Sequence, residues 1–254
     1  MLTLVTIPCL SDNYAFLLHD DASGQTVLVD APDPLPIEGA LEDRGWTLTE
    51  IWLTHHHWDH VDGVADLVAS TGAKVTGASA DAHRLPALDR TVTPGESFDF
   101  AGHRVDVIDV SGHTIGHVAF HIASAGMAFT GDSLMAMGCG RLFEGTAPQM
   151  WESLSRLAAL PPETLICSGH EYTAANAAFA VTIEPENTAL HTRRAAIEAA
   201  RAKGEPTVPS SLREELDTNP FLRAHLPSVK AALHMQGATD AEVFTEIRSR
   251  KDNF

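Results

Sequence analysis

A chain of 254 residues with 44% hydrophobic and 20% charged residues buries a sizeable core without covalent staples, which excludes a disordered polymer and fits one large domain or a main domain with an appendage. Its 34 acidic against 17 basic residues give a net charge of -17, which argues against general affinity for nucleic acid or anionic lipid and requires a local basic cluster for any anionic ligand. Three cysteines, Cys9, Cys139 and Cys167, are too few and too odd in number for a disulfide framework, so the expected compartment is the reducing cytoplasm.

The first residues, Met1 to Pro8, lack a basic n-region and meet a proline before an apolar stretch can develop, so they read as a strand and not a signal peptide. No apolar run reaches membrane-spanning length. Leu2 to Ile7, Tyr14 to His19 and Gln25 to Val29 are short apolar runs separated by turn residues, the pattern of consecutive antiparallel strands. Leu35 to Arg44 predicts a helix closed by Gly45, and Glu50 to Thr54 a strand that delivers the chain into His55.

From Val61, apolar residues recur at helical spacing to Gly72. Strands follow around Lys74 to Thr76, Arg104 to Val110, Val118 to Ile122 and Met127 to Thr130, then a helix from Pro148 to Leu160 and a strand from Thr164 to Cys167. After about Glu171 the chain turns Ala-, Glu- and Arg-rich: helices are expected at Ala174 to Ile183, Asn187 to Lys203 and Ala241 to Arg250, with a capping box at Ser211 to Glu214. Residues 171–254 therefore read as a helical C-terminal domain, and residues 1–170 as the main one.

Fourteen histidines are many for this length, and their clustering carries chemistry. Thr54-His55-His56-His57-Trp58-Asp59-His60 places four histidines and an aspartate directly after a strand. In extended chain His55 and His57 project to one side and can grip one ion, while His56 faces away. Asp59 and His60 fall where the chain turns into a helix and can serve a neighbouring ion. Three more donors follow glycines at predicted strand ends: His113 after Gly112, Asp132 after Gly131 and His170 after Gly169.

Alone, His113 would read as a surface or hydrogen-bonded histidine and Asp132 as a turn or cap residue; the cluster at His55 reverses both readings. Asp132, with two carboxylate oxygens, is the natural bridge. One ion then takes His55, His57 and His113, and the other Asp59, His60 and His170. Imidazole and carboxylate donors suit zinc, iron or manganese, and two zinc ions are the expected pair. Cys139 and Cys167 read as small buried residues, since seven ligands exist without them.

The motif Thr-His-x-His-x-Asp-His with Gly-His113, Gly-Asp132 and Gly-His170 resembles the metallo-β-lactamase superfamily over about residues 1 to 170. That resemblance implies an α+β fold, an αββα four-layer sandwich with metals at one edge. Ser11-Asp-Asn-Tyr14, Gly138-Cys-Gly-Arg-Leu-Phe-Glu-Gly145, Gly169-His-Glu-Tyr-Thr173 and the terminal Arg248-Ser-Arg-Lys251-Asp-Asn-Phe254 are closer to glyoxalase II, the hydroxyacylglutathione hydrolases. Carried over by motif position, the glutathione contacts fall on Arg141, Phe143, Tyr172, Arg248 and Lys251. Many relatives have lysine and tyrosine where this chain has Arg141 and Phe143; arginine keeps the charge, while phenylalanine loses a hydroxyl hydrogen bond.

The activity implied is dinuclear-metal hydrolysis of S-D-lactoylglutathione to D-lactate and glutathione, the second step of methylglyoxal detoxification, with Asp59 and Asp132 as catalytic carboxylates. The alternatives are a glutathione persulfide dioxygenase of the same fold, using one iron, and a non-catalytic metal-binding protein. The complete seven-ligand set and the long helical tail weigh against both. Oligomeric state stays open, with a monomer as the default.

Overall fold

The computed structural model describes residues 1–254, which form two compact units: residues 1–109 with 116–131, and residues 110–115 with 132–254. In the first unit β1 (Leu2–Cys9), β2 (Asn13–Asp20) and β3 (Thr26–Val29) run antiparallel as expected, with Leu4 opposite Leu18 and Phe16 opposite Val29. The pairing then turns parallel. After α1 (Pro34–Arg44), β4 (Glu50–Trp52) joins β3, and β5 (Lys74–Ala78) and β6 (Arg90–Val92) extend the sheet in the same sense. Parallel neighbours need a crossover, and the helices between these strands supply it. A second sheet pairs β7 (Ser97–Phe100), β8 (His103–Asp109), β9 (Val118–Ile122) and β10 (Met127–Gly131) antiparallel in chain order.

Side-chain alternation sorts the first sheet into two faces. Leu17, Leu28, Ile51 and Val75 form one core with Ile37 and Leu41 of α1 and with Val64 and Leu67 of α3 (Val64–Thr71). Phe16 and Trp52 point the other way, into the second sheet: Phe16 meets Phe129 at 5.8 Å, and Trp52 meets Phe98, Phe100 and Phe120 at 5.1, 5.4 and 5.3 Å between ring centroids. The two sheets thus pack face to face with helices outside.

Helix α1 begins at Asp33, whose carboxylate accepts from the Leu35 amide, and ends at Gly45 with φ 64°. The helix expected from Val61 to Gly72 is interrupted: α2 (Trp58–Val61) and α3 flank Gly63, whose amide donates to the Ala31 carbonyl at 2.8 Å. That donor leaves the helical ladder, so a single helix cannot run through it.

The second unit carries the short hairpin β11 (Leu134–Met135) and β12 (Gly138–Cys139), then α4 (Ala147–Ala158), β13 (Leu165–Ser168), α5 (Thr173–Ile183) and α6 (Thr188–Ala202). It continues with β14 (Ser210–Ser211), α7 (Leu212–Thr218), α8 (Pro227–Ala232) and α9 (Asp240–Asp252). Capping boxes start α4 at Thr146, α7 at Ser211 and α9 at Thr239. Helix α4 lies against α9, where Trp151 and Phe244 meet, and Phe221 packs on both Phe179 and Phe244.

Candidate metal centre

In the first unit, the end of β4 feeds Leu53 and Thr54 into His55 beside the end of β3. Asp30, one residue past β3, sits there in the left-handed region with φ 59°. Its carboxylate holds that conformation: Oδ1 accepts from the Thr54 amide at 2.9 Å, and Oδ2 accepts from the Thr54 hydroxyl and from His60 Nδ1, both at 2.9 Å.

These bonds assign tautomers. An ionised carboxylate only accepts, so His60 donates from Nδ1, which turns its Nε2 toward Asp59 Oδ2 at 3.9 Å. The Thr54 hydroxyl spends its hydrogen on Asp30, so it accepts from His55 Nδ1 at 3.0 Å. His55 Nε2 then faces His57 Nδ1 at 3.1 Å. Asn13 donates to both the carbonyl (2.9 Å) and Oδ2 (3.1 Å) of Asp59, fixing that carboxylate. His56 turns to Asp81 at 3.2 Å, away from this group as expected.

In the second unit, His113 donates from Nδ1 to the Arg141 carbonyl at 2.8 Å, which leaves its Nε2 lone pair 3.5 Å from Asp132 Oδ2. His170 Nε2 lies 3.3 Å from the same oxygen, its ring stacked on Tyr172 at 4.7 Å. All three donors are buried. Close approach makes this possible: a Cβ at position 140 would lie 2.0 Å from the Asp132 carbonyl oxygen and 2.9 Å from His113 Nδ1, so only glycine fits.

Each half has the chemistry of a metal site. Donor atoms about 2.0–2.1 Å from one zinc ion in a tetrahedron stand about 3.3 Å apart, and the separations of 3.1, 3.3 and 3.5 Å match that edge. The cysteines stay out: burial raises Cys9 to about 12 and Cys139 to about 11 and pushes Cys167 up too, so the thiols remain protonated.

A family model described as Hydroxyacylglutathione hydrolase C-terminus matches residues 171–254, and that of the Metallo-beta-lactamase superfamily matches residues 11–170. A hydroxyacylglutathione hydrolase of Roseobacter denitrificans is 62% identical over 251 residues, covering 99% of this chain and 98% of that one. The chain belongs to the hydroxyacylglutathione hydrolase family. Among solved structures, ETHE1 from Myxococcus xanthus aligns with a TM-score of 0.67 at 25% identity, covering 98% of this chain and 90% of its own. TTHA1623 in a di-iron-bound form aligns with a TM-score of 0.57 at 29% identity, covering 66% and 91%. The fold is accordingly the α+β metallo-β-lactamase fold with a helical C-terminal region, and the superfamily together with the His/Asp clusters points to a dinuclear metal centre.

The residues that resemblance assigned to glutathione in this hydroxyacylglutathione hydrolase family member lie in the second unit and differ in exposure. Arg141, Phe143 (63% exposed) and Tyr172 (41%) face solvent, and Phe143 meets the His113 ring edge-on at 5.2 Å. Lys251 is half-buried, its ammonium over the Phe179 and Phe254 rings and 3.4 Å from the Ala175 carbonyl. Burial lowers its pKa, and the positive charges of Arg248 and Arg141 lower it further, which marks the three as one basic cluster.

Arg248 stands apart at 5% exposure. Although i and i+3 place it on α9 with Lys251, it is not at a solvated helix end. Sequence reasoning also missed Asp30, Asn13 and Thr54 as orienting residues. The available signal was an aspartate ending the apolar run Val27 to Val29, the same strand-end placement that singled out Asp132 as a candidate.

Proposed function

We propose that this hydrolase cleaves the thioester of S-D-lactoylglutathione with water, giving D-lactate and glutathione and completing methylglyoxal detoxification. The observation that carries the reading is the set of imidazole nitrogens and carboxylate oxygens at metal-ligand spacing, in a chain with a cluster of basic and aromatic side chains around Arg141 and Lys251.

In this reading His55, His57 and His113 would hold one divalent cation and Asp59, His60 and His170 the other, with Asp132 as the shared ligand. Zinc is our choice of ion, and the same donors accept iron or manganese. When bound, two cations would supply water activated to a pKa toward about 7 and polarisation of the carbonyl. Asp59, fixed by Asn13, accepts a hydrogen bond from the attacking water and aims it. Asp30 keeps His55 and His60 in the one tautomer that can ligate.

The glutathione thiolate leaves without a strong general acid, because a thiol of pKa about 8.5 is a good leaving group. Arg141 pairs bidentately with a glutathione carboxylate, Lys251 and Arg248 add positive charge, and Phe143 and Tyr172 supply apolar contact. Residues 1–170 then act as the catalytic domain and residues 171–254 as the helical glutathione-binding domain. Three free, buried cysteines accord with a reducing, cytoplasmic compartment.

The test is hydrolysis of S-D-lactoylglutathione by the full chain with and without a chelator. Turnover that a chelator abolishes and zinc restores is expected. Oxygen uptake on a glutathione persulfide without thioester cleavage would overturn the reading.

A further inference from the structure

Asp81 carries a buried carboxylate that is not among the candidate ligands. It ends the one-turn helix Ser79–Asp81 that follows β5, and only 3% of its side chain is exposed. Both oxygens are occupied: Oδ1 accepts from Arg84 Nη2 at 2.6 Å, and Oδ2 accepts from His56 Nδ1 at 3.2 Å. The turn that bears it is closed by its own carbonyl, which accepts from the Arg84 amide at 2.8 Å and the Leu85 amide at 2.9 Å. A buried ion pair adds little stability over apolar side chains of the same volume, so its placement calls for another reason.

The partner His56 stands between two candidate ligands. In extended chain the middle side chain points opposite to its neighbours, so a bond that holds His56 on one side holds His55 and His57 on the other. His57 is extended, with φ -63° and ψ 143°, and the His55 and His57 rings lie 4.7 Å apart.

Asp81 meets a second loop as well. A Cβ at position 116 would run into its carboxylate, so only glycine lets the backbone pass there. Directly after Gly116, His117 stacks on His55 at 4.6 Å with the ring planes 11° apart, and the Val118 amide donates to the Thr54 carbonyl at 3.0 Å. One carboxylate thus braces His55 twice, through His56 and through the loop that carries His117.

We propose that Asp81 is a positioning residue for the metal centre, acting through His56 to keep His55 and His57 on one side of their loop at ligand spacing. The inference rests on the metal-site reading above. Arg84 holds the other oxygen of Asp81, which keeps Oδ2 turned to His56.

The test compares Asp81→Asn, His56→Leu, His56→Gln and the double variant of Asp81→Asn with His56→Leu in the full chain. Zinc affinity is measured by competition with a chromophoric chelator, alongside kcat and KM for S-D-lactoylglutathione and the denaturant midpoint of the metal-free protein. Asp81→Asn should weaken one of two zinc ions by about tenfold and lower kcat with KM unchanged, as loss of a partner that orients a ligand does. His56→Leu, which fills the space without a donor, should do the same, whereas His56→Gln, whose amide donates to Asp81, should stay near wild type. The double variant should lose no more than either single one, because both break the same bond. Losses that multiply in the double variant, or wild-type zinc affinity in folded Asp81→Asn, would overturn the inference while leaving the hydrolase reading intact. A lowered denaturant midpoint with unchanged zinc affinity would likewise overturn it, by making Asp81 a residue of stability alone. If Asp81→Asn does not fold, the two His56 variants decide the matter, and equal zinc affinity in them is the contrary result. A wild-type chain that binds fewer than two zinc ions would instead overturn the metal reading, and the inference with it.

Discussion

Asp30 accepts three hydrogen bonds on one carboxylate, and through them it sets the tautomers of His55 and His60 and keeps its own backbone in a left-handed conformation. Asp30→Asn keeps the volume but replaces an acceptor oxygen with an amide that donates. Metal affinity, measured by chelator competition, should fall by about 10–100-fold; unchanged affinity would show that the tautomers are set elsewhere. Lys251 gives a residue-scale pH prediction. Its charged form is disfavoured by burial and by the Arg248 and Arg141 charges, so it loses its proton below the ordinary lysine value of 10.5. KM should rise as pH climbs through that lowered value, and Lys251→Met should abolish the rise. The candidate ligands stood out in the sequence because seven His and Asp residues cluster after one strand or end others. Asp30 was not, because a lone aspartate after a strand is ordinary until its partners are known. The burial of Arg248 was not legible either, since spacing on a helix gives the face and not what covers it.

At the scale of elements, the helices begin where local chemistry directs. Thr239 accepts from the Glu242 amide while Glu242 accepts from the Thr239 amide and hydroxyl, closing a capping box on α9, which bears both Arg248 and Lys251. Thr239→Ala should cost about 1 kcal/mol, read as a drop in denaturant midpoint. The backbone bond from Thr239 also lowers the Glu242 pKa below 4.5. With the folded value depressed, its contribution is present above 4.5 and is lost as pH falls through the lower folded value. Glu242→Gln should flatten that part of the acid unfolding curve. The longer helices and strands follow the hydrophobic periodicity, and the capping box at Ser211 appears where the sequence predicts it. β6, β7, β11, β12 and α8 did not declare themselves, because two to six residues carry too little pattern. The break at Gly63 depends on the Ala31 carbonyl, a partner distant in sequence.

For the molecule as a whole, strand alternation separates a helix-facing core from the aromatic core between the sheets. Trp52, fully buried among Phe98, Phe100 and Phe120, joins the two sheets. Trp52→Ala should cost about 3–5 kcal/mol, read from chemical unfolding. The net charge of -17 is offset locally by the Arg141, Arg248 and Lys251 cluster. The family resemblance supplied the layered fold that composition alone could not, whereas parallel pairing of β3 to β6 emerges only with the crossovers in place.

The central claim is that two ions are held together and both are needed for thioester hydrolysis. Titrating metal-free protein with zinc while following S-D-lactoylglutathione cleavage tests it most directly. Activity should rise to a plateau at two zinc ions per chain and be lost, with the bound metal, in Asp132→Ala. A plateau at one ion per chain, or full activity in Asp132→Ala, would contradict the account.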